Sequence, residues 1–197
     1  VTWIEKETGI PVLGILPWLN EIFPPEDSLD LLERKQIHQS SEIEIGILKL
    51  PRISNFSDFD PFWGDSKIQM RWIEPGQELG TPDVLIIPGS KQTIKDLESL
   101  KKTGMSNQIK IYAKNGGTIF GICGGLQMLG ESLEDPYKQE SFEDLSSFSY
   151  KGMNLLPIKT TFGKNKHNSQ REEMISWPEE KPVKGFEMHY GRSDLVD

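Results

Sequence analysis

The segment GTIFGICGGLQMLG, residues 117–130, constrains this chain more than any other. An apolar run, Thr118–Ile122, delivers Cys123 straight into Gly124-Gly125, and Leu126, Met128 and Leu129 then open a helix. A residue at such a strand-to-helix corner sits in a strained backbone conformation with its side chain projecting out. Glycines flank the corner because Cβ atoms there would clash. The helix that follows would aim its N-terminus at the sulfur, which favours the nucleophilic anion, and amide N–H groups past the corner can hold an oxyanion. A cysteine kept only for packing is a small buried hydrophobe and has no need of glycines at −2, +1 and +2. The spacing therefore points to a nucleophile.

The surrounding pattern alternates strands with helices. Glu42–Leu50, Lys67–Ile73 and Asp83–Ser90 read as strands, the last ending in a glycine-containing loop. Thr93–Lys102 reads as a helix with Ile94, Leu97 and Leu100 on one face, and Met105–Lys114 as another, closed by Asn115-Gly116-Gly117. This order predicts an α/β fold with an open, mostly parallel sheet flanked by helices. Pro51–Gly64 reads as a loop, in which Asp58 and Asp60 suit a polar turn better than a cation site. Residues 132–180 are polar, and only Leu155–Thr161 and, beyond them, Val183–His189 stand out as strands. Upstream, Pro11–Pro17 reads as a buried strand and EDSLDLLERKQI, residues 26–37, as a helix. Gln39-Ser40-Ser41 then marks a boundary, giving domains 1–40 and 41–197. The chain opens on Val1 inside what reads as the interior of a larger protein.

Composition narrows the partners. With 22 Lys+Arg against 30 Asp+Glu the net charge is −8, which disfavours nucleic acid and anionic membrane surfaces. No apolar run approaches the roughly 20 residues that cross a bilayer. One cysteine excludes an internal disulfide and a cysteine-based zinc site, and it fits a reducing, cytoplasmic setting.

A second site feature is IIPGSKQT, which places Gly89 and Ser90 directly after a strand. If that strand lies beside the one carrying Cys123, their N–H groups face the same crevice. The GxxxxGK[ST] spacing of a nucleotide loop is absent. Of the three histidines, His38 lies near the boundary, His167 in GKNKHNSQ, which has the composition of a solvated loop, and His189 in GFEMHYGR. His189 is the one attractive partner for a thiolate, but these residues alone do not assemble a Cys–His pair.

GICGGLQMLG resembles the nucleophile motif of the class I (Triad) glutamine amidotransferases. Together with LPRISNFSDFDPF, IPGSKQTIKDL, LLP at Leu155–Pro157 and GFEMHYGR, it narrows the resemblance to the cobyric acid synthase family, across nearly the whole chain. GIPVLGILPWLN and PPEDSLDLLER resemble the end of that family's ATP-dependent, dethiobiotin synthetase-like domain. The resemblance implies a flavodoxin-like glutaminase domain that hydrolyses glutamine through a thioester on Cys123. Gly124 and the Gly89-Ser90 loop would hold the oxyanion, and Gln127 would help bind glutamine. Ammonia would then serve ATP-dependent amidation of adenosylcobyrinic acid a,c-diamide, with ATP and Mg bound by the synthetase domain and no cofactor or metal by this chain.

Two departures bear on this. The family's catalytic histidine lies in a later HGxF-like motif, before which this chain stops, and His189 matches an earlier EIHxG segment, so the general-base role is not carried to it. Three alternatives stay open: a cobyrinic acid a,c-diamide synthase-like or other Triad glutaminase, a catalytically incomplete pseudo-glutaminase, and a free-standing cysteine hydrolase of similar α/β shape.

Overall fold

The computed structural model describes residues 1–15, 41–140, 148–176 and 178–196. The chain separates into two compact units, Val1–Arg34 and Lys35–Asp197. In the first, Thr2–Thr8 form helix α1, ended by Gly9 in the left-handed region at φ 68°, whose N–H donates to the Glu5 carbonyl at 2.9 Å. This is the C-terminal glycine stop of a helix, which the sequence reading did not draw. Pro11–Ile15, expected to begin a buried strand, carry no regular structure, and Leu13 is 97% exposed. A strand needs a neighbour to satisfy its backbone, and none pairs with these residues among those described. The helix expected at 26–37, and His38, lie outside the described residues.

The second unit holds two sheets. The first is wholly parallel, in the order β2-β1-β3-β4, from β1 (Ile43–Leu48), β2 (Ile68–Ile73), β3 (Val84–Ile87) and β4 (Thr118–Gly121). Ile45, Ile47, Leu48, Leu85 and Ile87 are buried, as strands of a parallel sheet covered by other elements require. Helices α2 (Thr93–Lys102) and α3 (Met105–Lys114) connect β3 to β4, and α2 buries the expected face Ile94, Leu97 and Leu100. The loop expected at 51–64 contains a 3-10 helix, Phe56–Gly64. Because β2 and β3 flank β1 on opposite sides, the winding reverses at β1. The crevice outside the strands' carboxyl ends, where α/β folds place their ligands, is therefore bordered by the loops after β1 and β3.

Beyond β4, helix α4 (Gly124–Leu129) leads to a second sheet in the order β6-β5-β7-β8. Its strands are β5 (Ser132–Glu134), β6 (Ser149–Lys151), β7 (Ile158–Ile175) and β8 (Lys181–Leu195). β7 and β8 form a long antiparallel ribbon, irregular between Phe162 and His167. Its base is buried at Thr160 and Phe162, whereas its outer arm is exposed on both faces. The stretch GKNKHNSQ is thus strand, not loop. It escapes the reading because no alternation marks a ribbon with two wet faces. Charged pairs across the strands mark it instead, Lys184–Glu172 at 2.7 Å and Arg171–Glu187 at 2.6 Å. No described helix is long and apolar enough to cross a membrane.

Candidate active site

Cys123 occupies the corner between β4 and α4 at φ 48°, ψ −109°. An L-residue is rarely found there, and holding it costs on the order of 1–3 kcal/mol. The corner is fixed from both sides. The Ile122 N–H donates to the Ile87 carbonyl at 2.9 Å, the Gly125 N–H to the Ile122 carbonyl at 2.8 Å, and the Gln127 N–H to the Cys123 carbonyl at 3.1 Å. A Cβ on Gly125 would collide with the Ile87 carbonyl, so the start of α4 rests directly on the end of β3. The sulfur-bearing side chain is exposed.

The strand preceding Gly89 and Ser90 is β3, which pairs with β4 from Val84–Thr118 to Ile87–Gly121. The condition set by the sequence reading is met. A Cβ on Gly124 would lie 3.1 Å from the Ser90 nitrogen, and one on Gly89 would lie 3.8 Å from the Cys123 Cβ. The loop is also tied to the loop after β1. The Ser54 N–H donates to the Gly89 carbonyl at 2.9 Å and the Lys91 N–H to the Arg52 carbonyl at 2.8 Å. Among the described residues, neither the Ser90 N–H nor the Gly124 N–H has a main-chain or side-chain acceptor. Two donors beside one exposed sulfur suit a negatively charged oxygen on a carbon bonded to that sulfur.

Three acidic residues behind this loop were not singled out from the sequence. Asp96, on α2, is 0% exposed; its Oδ2 accepts from the Ser90 hydroxyl at 2.7 Å and its Oδ1 from the Arg52 guanidinium at 3.1 Å. Burial pushes the Asp96 carboxyl above the usual aspartate range, against the lowering effect of Ser90 and Arg52. Glu140 accepts from the Thr93 N–H at 2.7 Å, and burial likewise raises its carboxyl, with Asp135 and Asp96 adding repulsion. Asp135 accepts from the N–H groups of Gln139 and Glu140. The available signal was Asp96 itself. It shares the stripe Thr93, Leu97 and Leu100, where a carboxylate has no business unless partnered.

Gln127 lies on the buried side of α4, and its amide nitrogen would be 2.7 Å from a Cβ on Gly191 of β8. His189 stands on the ribbon, in register with His167 at 5.3 Å between ring centroids. Its Nε2 is 2.8 Å from Glu187 Oε1, and no hydrogen bond joins either histidine to Cys123 among the described residues. His189 first and Arg171 next draw the Glu187 carboxyl down to about 2. The described residues contain no group of three or more His, Cys, Asp or Glu that could hold a metal ion. The cleft of about 600 Å³ lined by Pro82, Tyr112 and Thr118 borders the starts of β3 and β4, at the sheet edge opposite Cys123. It is therefore not where this chemistry resides.

Residues 44–197 match the family model described as the CobB/CobQ-like glutamine amidotransferase domain. A cobyric acid synthase of Prochlorococcus marinus (strain NATL1A) is 79% identical over 197 residues, covering all of this chain and 40% of that protein. Another, from strain MIT 9313, is 54% identical over 195 residues, covering 98% of this chain and 39% of that protein. The chain thus spans about 40% of the length of these relatives. A solved structure of PurLQS from Thermotoga maritima shares the fold with a TM-score of 0.55 at 12% identity, over 79% of this chain and 71% of that one. A solved glutamine amidotransferase does so with a TM-score of 0.52 at 15% identity, over 71% and 69%.

Proposed function

This chain belongs to the CobB/CobQ-like glutamine amidotransferase family, and on that premise we propose that Cys123 takes the amide group of glutamine apart to release ammonia. The thiolate attacks the side-chain carboxamide carbon, forming a carbon–sulfur bond and leaving the carbonyl electrons on oxygen. The N–H groups of Ser90 and Gly124 hold that oxygen, as the motif resemblance also has it. The tetrahedral species collapses by breaking its carbon–nitrogen bond, and the nitrogen gains a proton and departs as ammonia. Water then cleaves the γ-glutamyl thioester to glutamate and restores the sulfur. Among the described residues no side chain hydrogen-bonds the Cys123 sulfur, and His167 and His189 are engaged on the ribbon instead. Gln127, one turn past the nucleophile, is assigned to glutamine binding through the family motif alone.

The observation that carries this reading is the strained, exposed cysteine beside two amide donors that have no acceptor among the described residues. Its relatives' name extends the proposal to the whole protein. Ammonia made here would amidate corrinoid carboxylates in a reaction driven by ATP and Mg in a synthetase domain, of which residues 1–40 would be the last part. No P-loop spacing occurs in this chain, so no step through ATP is assigned to its residues.

The test uses the full-length parent protein with ATP, Mg and cobyrinic acid a,c-diamide. Cys123→Ala is expected to abolish amidation supported by glutamine and to leave amidation supported by added ammonium salt within about twofold of the parent, since removing a nucleophile costs several orders of magnitude only in its own half-reaction. Corrinoid products are counted by chromatography. Loss of both activities, or of neither, would contradict the assignment.

A further inference from the structure

The oxyanion donors are useful only if the Gly89-Ser90 loop is rigid, and the Asp96 side chain reaches both loops bordering the crevice. It accepts from the Ser90 hydroxyl at 2.7 Å, from the Arg52 guanidinium at 3.1 Å and from the Arg52 main-chain N–H at 3.3 Å. The Ser90 hydroxyl in turn accepts from the Gln92 N–H at 3.0 Å, so the loop is pinned just past the donor it presents. On the other side, Ile53 and Ser90 form a bridge in which the flanking residues exchange the hydrogen bonds. That pattern leaves the Ser90 N–H turned away from the bridge, and the Ser90 nitrogen lies 3.1 Å from where a Cβ on Gly124 would stand. A carboxylate is costly to bury unless paired and hydrogen-bonded. A helix needing only a core contact at this position would carry an aliphatic residue.

We propose that Asp96, with Arg52, is a positioning residue for the oxyanion site: it sets the Ser90 N–H at the distance from the sulfur that the developing charge requires. This rests on the reading of Cys123 as the glutaminase nucleophile and names how its electrostatic support is held. Asp96 touches no reacting atom, so its effect is confined to steps that build charge on a carbonyl oxygen.

The experiment compares two reactions of Cys123 in the 197-residue chain. The first is acylation by the γ-(4-nitrophenyl) ester of glutamate. Sulfur bonds to the ester carbon, an oxyanion forms and collapses, and 4-nitrophenolate leaves with its electron pair, needing no protonation. The second is alkylation by iodoacetamide, a displacement of iodide that makes no oxyanion. Asp96→Asn keeps an acceptor for the Ser90 hydroxyl but breaks the pairing with Arg52. It is expected to slow acylation about 10- to 100-fold, approaching the loss caused by removing one oxyanion donor, while alkylation changes by less than about twofold. Ser90→Ala, which cuts the same tie and leaves the Asp96–Arg52 pair in place, is expected to slow acylation in the same selective way. It decides the matter if Asp96→Asn fails to fold. Equal acylation in variants and parent, or equal slowing of both reactions, would overturn the proposal and leave Asp96 a structural residue. If the unsubstituted chain releases no 4-nitrophenolate, the reading of Cys123 falls, and the role of Asp96 with it.

Discussion

A Cys123→Gly chain is expected to resist urea better than the parent and to accept no glutamyl group. The corner at φ 48°, ψ −109° is a conformation that an L-residue reaches only under strain of roughly 1–3 kcal/mol, whereas glycine enters it freely. Glycine also widens the unfolded ensemble, which takes back about 0.5–1 kcal/mol. Because the cysteine side chain is exposed, little burial is lost. The balance is a gain of about 1 kcal/mol, read as a higher urea midpoint with an unchanged slope. A residue that makes the fold less stable and is kept at its strained corner is the signature of stability given up for chemistry. If Cys123→Gly unfolds at lower urea than the parent, the corner holds no strain and the elbow account is wrong.

Gly125→Ala is expected to be strongly destabilising. Its Cβ would enter the Ile87 carbonyl and lie 2.9 Å from the Pro88 oxygen. Both obstacles are backbone, and the same Ile87 carbonyl already accepts the Ile122 N–H. No side chain can swing aside. Either α4 lifts from β3, exposing Met128 and Leu129, or β3 separates from β4. Overpacking of flexible side chains costs about 1–3 kcal/mol, so a loss of about 3 kcal/mol or more is expected here, with acylation of Cys123 lost even where the chain still folds. Gly185→Ala on the open ribbon, where an added Cβ meets nothing within 4 Å, is the control and should stay within about 0.5 kcal/mol. Comparable stability of the two variants in urea would show that α4 does not rest on β3.

These effects explain what could be read from residue order. The elbow was legible because its glycines bracket Cys123 in sequence, although only Gly121 answers the adjoining helix, at Leu126, while Gly124 and Gly125 answer Ser90, Thr93 and Ile87 from the neighbouring strand, its loop and the start of α2. The parallel sheet was legible because β1, β3 and α2 carry apolar residues at the periods their burial requires. The β7–β8 ribbon was not, since its outer arm is polar on both faces and is stabilised by cross-strand pairs such as Arg171–Glu187. Pro11–Ile15 misled for the opposite reason: an apolar run predicts burial, and Leu13 finds no neighbour among the described residues. The Asp96–Ser90–Arg52 tie was hidden because it joins the loop after β1 to α2, with Arg52 and Asp96 44 residues apart. Only the sheet order, which sets β1 beside β3, brings them together.

The most direct measurement is intact and peptide mass analysis of the chain quenched in acid after brief mixing with the γ-(4-nitrophenyl) ester of glutamate. The account predicts one added glutamyl group, held as a thioester on the peptide containing Cys123 and released by hydroxylamine. An unchanged mass, or a glutamyl group carried elsewhere while Cys123 stays free, would contradict it.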